Sequence, residues 1–584
     1  MRKAAIYLLA LLCGTLQPAR LAIAQTDNTT LGTGAGVNIT TGDYNTLIGD
    51  SAGPNISTGS YNVFVGEDAG HNVSSTGNDN VFIGEDAGYS NTTGDDNVYI
   101  GRYAGRASNC TDCVFIGAEA GEFNTSGFDN TFIGDQAGQD NIDGDDNTFI
   151  GEDSGYRNTT ASDNTAVGSA SLRTCTTGYR NTAIGNEALY DVSNGHHNTG
   201  VGDSAGTDIG QGIWNTMIGA GAGANTEHAD YNTFVGVYAG WDNNRTNNTN
   251  DGDRTTYVGV KAGYTNREGE DNVGMGFRAD FNSTTSNRNV FIGSESDVED
   301  DDAVAYGYDA RAEGDGSIAI GGIAHAHNTN AITVGYLADI TANHSIGIGR
   351  QCTIDVSQAI AIGYQTKIEG TRGIAIGYLA TIPDNGREAV AIGYIAQADS
   401  FSVGIGPNTT VSGHYSTSVG GSNQVAGWNA TSLGTTNTVS RDSSIAVGNN
   451  INVSGGASIA IGSNTTVSGS NSIGIGHNVS VTNDNEVVIG NTATESIGGY
   501  VNWTATSDGR FKTNVEEDVP GLDFINRLRP VSYNFVIDET KFLNNNLPKS
   551  GALAWVTKKM MTRYSGFIAQ EVEEAANAVG YDFS

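Results

Sequence analysis

The stretch Ser345-Ile346-Gly347-Ile348-Gly349 alternates branched apolar residues with small ones and closes on a glycine. Period-two alternation over so few residues predicts a short β-strand with one buried face, and the glycine predicts a turn directly after it. The same step recurs along most of the chain, with the closing glycine as its marker. It falls at Gly293, Gly307, Gly321, Gly335, Gly349, Gly363 and Gly377, a spacing of 14. It slips at Gly393 and Gly406 and resumes from Gly420 to Gly490. Upstream the spacing is 17 with single-residue slips, from Gly32 through Gly134, Gly151 and Gly168 to Gly236. An insertion follows, and then come Gly259, Gly276 and Gly293. A fixed short period predicts a solenoid, here an all-β parallel roll of stacked coils.

A unit of the first block reads Asn130-Thr131-Phe132-Ile133-Gly134-Asp135-Gln136-Ala137-Gly138, then a polar turn that ends before Asn147. Phe132 alternates with Ile133 across the strand, and Ala137-Gly138 predicts a second tight bend. Asn at the strand start recurs at the period (Asn45, Asn62, Asn80, Asn97, Asn130, Asn147, Asn164, Asn181). Stacked, these amides are expected to bond up and down the column. Asp precedes many of them (Asp79, Asp96, Asp129, Asp146, Asp163, Asp271). Like charges stacked at about 4.8 Å repel, so these carboxylates either splay into water or hold a cation between them. Turn chemistry alone accounts for Asp and Asn there, and the nonapeptide calcium repeat GGxGxDxUx does not occur. The second block reads A-I-A-I-G-Y-x-A/T-x-I, as from Ala359 to Ile368, and predicts two short strands and two turns per coil. So small a coil encloses too little volume for a self-sufficient core. Its remaining apolar residues are expected to face other chains around a common axis, most simply as a homotrimer.

Composition narrows the function. Gly 81 with only Pro 7 excludes collagen, which needs glycine at every third position. A net charge of -36 argues against nucleic-acid binding, which needs Lys and Arg to neutralise phosphates. Arg2 and Lys3 precede an apolar run from Ala4 to Leu12, and Ala22-Ile23-Ala24 forms a small-x-small cleavage site. Residues 1–24 are therefore read as a signal peptide of a secreted or bacterial cell-surface protein. No later stretch is long and apolar enough to be a transmembrane helix. Cys110-x-x-Cys113 lacks a second ligand pair at zinc spacing, which leaves a local disulfide or two free thiols. Sequons at Asn38, Asn55, Asn72, Asn91, Asn124 and Asn158 are either glycan acceptors or Asn/Thr-rich turns. The insertion around Trp241 to Thr249 is read as a loop thrown out of one coil, either a contact surface or a tolerated bulge. No cofactor is expected, and no metal ligands are assigned.

The 14-residue A-I-A-I-G ladder of residues 294–499 resembles the head of the trimeric autotransporter adhesins, the YadA-like left-handed parallel β-roll. Residues 25–293 look like the same roll with three extra residues in a turn. The resemblance implies a trimeric surface rod with adhesive function toward an unidentified glycan or protein. About 30 coils at ~4.8 Å each predict a rod about 140 Å long. No four-strand alternating apolar segment of the kind that builds that family's barrel anchor closes the chain, so self-anchoring is not expected.

The glycine marker stops near Tyr500, where lysines appear. Ser507-Asp508-Gly509-Arg510-Phe511-Lys512, Leu528-Arg529-Pro530-Val531-Ser532-Tyr533 and Gly566-Phe567-Ile568-Ala569-Gln570-Glu571-Val572-Glu573 follow in order. Together they resemble the intramolecular-chaperone autoprotease domain of phage endosialidase tailspikes. Residues 500–584 are read as that domain, small and α+β, incomplete at its C-terminal end. A serine hydroxyl is a poor nucleophile until a base takes its proton, and a lysine five residues away serves only if burial lowers its pKa. A Ser and a Lys so spaced mean nothing by themselves. The resemblance implies that Ser507 attacks the carbonyl of Thr506, that Lys512 is the general base, and that Asp508 and Asn514 support the loop. The bond Thr506–Ser507 is then cut once, a single-turnover serine autoprotease.

Three functions compete. The first is a secreted, trimeric, adhesin-like fibre assembled by a self-cleaving chaperone. The second is a phage or prophage tail fibre with the same chaperone, which needs no signal peptide. The third, a polysaccharide depolymerase, needs a unique carboxylate pair, whereas the carboxylates here are spread at the repeat period.

Overall fold

The computed structural model describes residues 27–73, 76–245, 251–281, 283–498, 521–534, 536 and 560–581. It divides into two compact units, Met1–Glu495 and Ser496–Ser584.

The first unit is the solenoid. Its strands are three residues long through most of the chain, such as Thr131–Ile133 and Thr148–Ile150. Each pairs in parallel and in register with the strand of the next coil, Phe132 opposite Phe149. The resulting sheet has 30 strands. A second parallel sheet of 15 strands begins only at Asp280–Phe281. The 14-residue coils thus carry two strands each, as their pattern predicts. Among the described residues, the 17-residue coils before Gly276 carry one. Where their second strand would run, turns bond coil to coil instead, as in Gly138 N–H to Ser154 O at 2.8 Å and Asp140 N–H to Tyr156 O at 3.0 Å. The insertion makes one step of 23 residues without breaking the stack, since Thr233 still pairs with Thr256. Thr246 to Asn250, within that loop, lie outside the described residues.

The closing glycines stack on one another. Gly134 has φ +143°, and a Cβ there would lie 2.3 Å from the carbonyl oxygen of Gly151. A side chain is excluded twice, by conformation and by the coil above. That is the physical origin of the glycine period.

The middle residue of each strand points inward. Phe64, Phe82, Tyr99, Phe115, Phe132 and Phe149 form a fully buried column of stacked rings. Their centroids are 4.6–4.9 Å apart, which is the strand spacing itself. Each ring lies over the second glycine of its unit, and a Cβ on Gly138 would meet the Phe132 ring at 2.6 Å. The column then changes to Ala166 and Ala183, and at those coils the second glycine becomes Leu172 and Leu189, both buried. Large over small becomes small over large, so the coil stays filled. In the 14-residue block the inward residues of the first strand are small, such as Ala361 and Ala375, and Ile354 and Ile368 of the second sheet fill the space beside them.

The buried asparagine column bonds differently from the expected amide ladder. Asn130 Oδ1 accepts from the backbone N–H of Asn147 at 2.9 Å, and Asn147 Nδ2 donates to Ala161 O at 2.8 Å. Direct amide–amide bonds are fewer, for example Asn62 Nδ2 to Asn45 Oδ1 at 3.0 Å. The reason is the corner: it exposes a backbone N–H and C=O that a strand ladder would have paired, and one carboxamide satisfies both. Serine takes over in the second block. Ser402 Oγ donates to Gly413 O at 2.6 Å and accepts from Ser416 N–H at 3.1 Å. In both blocks the acceptor lies three residues before the next copy of the donor.

Asp79, Asp96, Asp112, Asp129, Asp146 and Asp163 occupy left-handed corners with φ from 56° to 61°. Asn and Asp tolerate that conformation best among non-glycine residues. Cys110 and Cys113 form a local disulfide. Cys175 and Cys352 are buried thiols, each pushed up to about 12 by burial, which makes them poor nucleophiles. Three of the sequon asparagines, Asn91, Asn124 and Asn158, are fully buried. Asn158 Nδ2 bonds Asn141 Oδ1 at 2.5 Å inside the stack, so in the folded coil these are corner residues and not glycan acceptors.

Candidate functional site

Two places carry functional weight. The first is the outer face of the long sheet. Because the strand period is two, Phe132 or Gly347 points in while its two neighbours point out. In most coils of the second block both neighbours are apolar, as in Ile332 and Val334, Ile346 and Ile348, Ile360 and Ile362, and Ile374 and Ile376. They stand half-exposed, Ile348 at 39% and Ile461 at 39%. The stripe continues upstream through the third strand residue, including Ile83, Ile184 and Ile218, with Thr or Val at the first. An apolar row of this length on one face is the kind of exposed patch from which interfaces are built.

The second place is the C-terminal unit. Its described residues include a helix at Gly521–Ile525, a strand at Val531–Tyr533, a strand at Tyr564–Gly566 and a helix at Ala569–Ala578. The two strands pair antiparallel, Val531 opposite Gly566 and Tyr533 opposite Tyr564. This brings two of the three motifs together across more than thirty residues of chain. Arg529 Nε donates to Glu571 Oε2 at 3.1 Å, and Arg529 Nη2 pairs with Glu571 Oε1. That hydrogen-bonded guanidinium holds the Glu571 carboxyl below its ordinary range. Arg563 Nε donates to Ser532 Oγ at 2.9 Å, and Asn534 Nδ2 to Met560 O at 2.9 Å. Leu522, Ile525, Met561 and Phe567 are exposed apolar side chains of this small unit. The first motif is a different matter. Thr506, Ser507, Asp508, Lys512 and Asn514 lie outside the described residues, as do residues 1–24.

One cluster escaped the sequence reading. His325, His327 and Asp339, with Glu313 beside them, converge on the outer face of the second sheet. The signal was available in the spacing. His325 and His327 share a strand face, and Asp339 lies one 14-residue step beyond His325.

The comparisons bear on both places. Segments between residues 300 and 478, namely 300–322, 312–338, 357–380, 401–423, 427–450 and 454–478, match the YadA head domain repeat. Residues 507–581 match the chaperone of endosialidase. A search of curated proteins finds no match. Among solved structures, the chain is similar to the crystal structure of the collagen-binding domain of Yersinia adhesin YadA. That similarity is at 20% identity over 33% of this chain and 78% of that one, with a TM-score of 0.15. No described helix is long and apolar enough to cross a membrane. The chain thus joins a β-solenoid that carries YadA-type head repeats to a C-terminal segment similar to the chaperone of endosialidase.

Proposed function

We propose that this protein is a secreted, adhesin-like surface fibre that works as a homotrimer. Its C-terminal domain, residues 500–584, brings three chains into register and is then released by one self-cleavage. The observation that carries the reading is the outer apolar row of the long sheet. Two further copies of the same chain cover it best: a row with one residue pair per coil is matched in length and repeat only by another such row. Parallel coils nucleate slowly and expose edges while they form, so a device that registers three ends first suits this fold. Adhesion toward a glycan or protein ligand, with the fibre outside the cell, is supported by the YadA-type repeats.

The self-cleavage assigns roles by motif. Lys512, uncharged, takes the proton of the Ser507 hydroxyl. The hydroxyl oxygen adds to the Thr506 carbonyl, the C–N bond breaks, and the proton passes to the freed amine. Water then hydrolyses the ester, so that the C-terminal piece leaves with Ser507 at its head. Asp508 and Asn514 hold the loop.

Intact mass and light scattering of the chain, beside Ser507→Ala and Lys512→Ala, test this. Cleavage before Ser507 that both substitutions abolish, in a trimeric rod, is the expected result. An uncut trimer would remove the roles of Ser507 and Lys512, and a monomeric mature rod would overturn the assembly. The match to the endosialidase chaperone also favours a second reading, a phage or prophage tail fibre. A reporter fused behind residues 1–24 separates the two, since only the surface fibre needs export.

A further inference from the structure

We propose that His325, His327 and Asp339 form a binding site for a divalent transition-metal cation, zinc by ligand chemistry, which staples successive coils of the solenoid. His325 begins the strand His325–Ala326, and His327 follows two residues on, on the same side. Asp339 is the register partner of His325 in the next coil. One donor atom from each of the three lies within 4.8 Å of the others. His327 Nε2 stands 3.0 Å from Asp339 Oδ1. For zinc bonds of about 2.0 Å, tetrahedral donors stand about 3.3 Å apart, so this pair is already close to ligating separation.

Two further observations point to a ligand. His325 Nε2 and Asp339 Oδ1 are sequestered from solvent with no hydrogen-bond partner. Buried polar atoms are rarely left so. The other nitrogen of His327 is committed: Nδ1 lies 2.6 Å from Glu313 Oε2, in the preceding coil. An ionised carboxylate only accepts, so Nδ1 carries the proton, and in the neutral ring Nε2 presents its lone pair toward the Asp339 oxygen. Two lone pairs facing at 3.0 Å repel unless a metal ion, or a second proton on the ring, sits between them. A carboxylate that orients a histidine whose other nitrogen binds metal is the usual outer shell of such sites. Two imidazoles and a carboxylate, with a fourth position open to water or to a ligand group, suit zinc among the cations an exported protein meets.

The placement gives the staple a purpose. Glu313, the histidines and Asp339 come from three consecutive coils. In residues 308–335 the buried side chains are Ala310, Ala312, Ser317, Ala319, Ala324, Ala326, Ala331 and Thr333, none larger than threonine. With so little apolar side chain between them, these coils gain a further tie from a metal bond.

The test uses the untagged full chain, stripped with chelator and titrated with zinc and, as a spectroscopic probe, cobalt(II). One cation per chain is expected, with the visible bands of four-coordinate cobalt and a rise in Tm on zinc addition. His325→Ala, His327→Ala and the near-isosteric Asp339→Asn should each abolish the bands and the Tm shift. Glu313→Gln should weaken binding about 10–100-fold. The double variant His196→Ala/His197→Ala, elsewhere on the solenoid, should leave binding intact. Binding that survives His327→Ala, or no stoichiometric uptake at micromolar zinc, overturns the proposal. In the latter case a doubly protonated His327 between two carboxylates accounts for the contact.

Discussion

The 17-residue and 14-residue coils stack by the same devices and are filled by different ones. Both keep a closing glycine under the next glycine's carbonyl. Both satisfy a corner with one polar side chain, Asn147 in the first and Ser402 in the second. Inside, the longer coil is wide enough to take an aromatic ring, as at Phe132, and gives its far side to turns. The shorter coil draws the far side in until it becomes a second strand, and Ala361 then faces Ile354 where Phe132 would not fit. Stacking is thus a property of the backbone and its corners, whereas the filling is set by the circumference of the coil.

The strongest way to break that comparison is to exchange fillings. Phe132→Ala should cost about 3–5 kcal/mol in chemical denaturation, the range for losing a buried ring. Gly138→Leu alone should also destabilise, since even its Cβ would meet the Phe132 ring. Together they recreate the arrangement of Ala166 and Leu172, whose φ of 52° is close to the 59° of Gly138. The double variant should therefore be more stable than either single one. Losses that simply add would mean the two fillings are not interchangeable.

A smaller effect sharpens the equivalence of the corners. Asn147→Ala strands the N–H of Asn164 and the C=O of Ala161, and Ser402→Ala strands those of Ser416 and Gly413. Each should cost about 1–3 kcal/mol. Hydrogen exchange at the Asn164 and Ser416 amides should quicken to a similar degree, and protection lost in one block alone would separate the two devices.

The smallest effect belongs to the acidic corners of the 17-residue block. Partial desolvation, and then its neighbours Asp146 and Asp112, raise Asp129 above its ordinary range. The folded chain then holds more proton there than the unfolded one. Stability is therefore greater below the unfolded value of 3.8 and falls as pH rises through the raised folded value. Asp129→Asn keeps a residue suited to the left-handed corner. It should gain about a few tenths of a kcal/mol at neutral pH, nothing at acid pH, and little in high salt, because the side chain is exposed.

Much of this was legible in the chain. The alternation at Phe132 and Ile133 gave the strand and its inward face, and the glycine spacing gave the coil count to within the 30 strands observed. The Asn column was read in the right place with the wrong main partner, because an amide's partner depends on which backbone groups a corner leaves bare. The single-strand character of the longer coils was not legible either. Their far side has turn residues in either case, and only the coil's width decides whether it straightens. The His325 cluster was missed because its members are neighbours only across the stack. For Ser507 and Lys512 the sequence motif remains the whole of the argument.

The glycine column carries a consequence for length. A coil inserted or deleted whole leaves every remaining glycine over its partner, and the steps of 16, 18 and 23 residues keep theirs because the change in length falls in a turn, whereas a residue lost between a strand and its closing glycine lands a side chain on the carbonyl column. Whole-coil changes are therefore the simplest way for such a solenoid to lengthen or shorten. Each copy adds about 4.8 Å along the stack, so the length of the solenoid changes in whole steps.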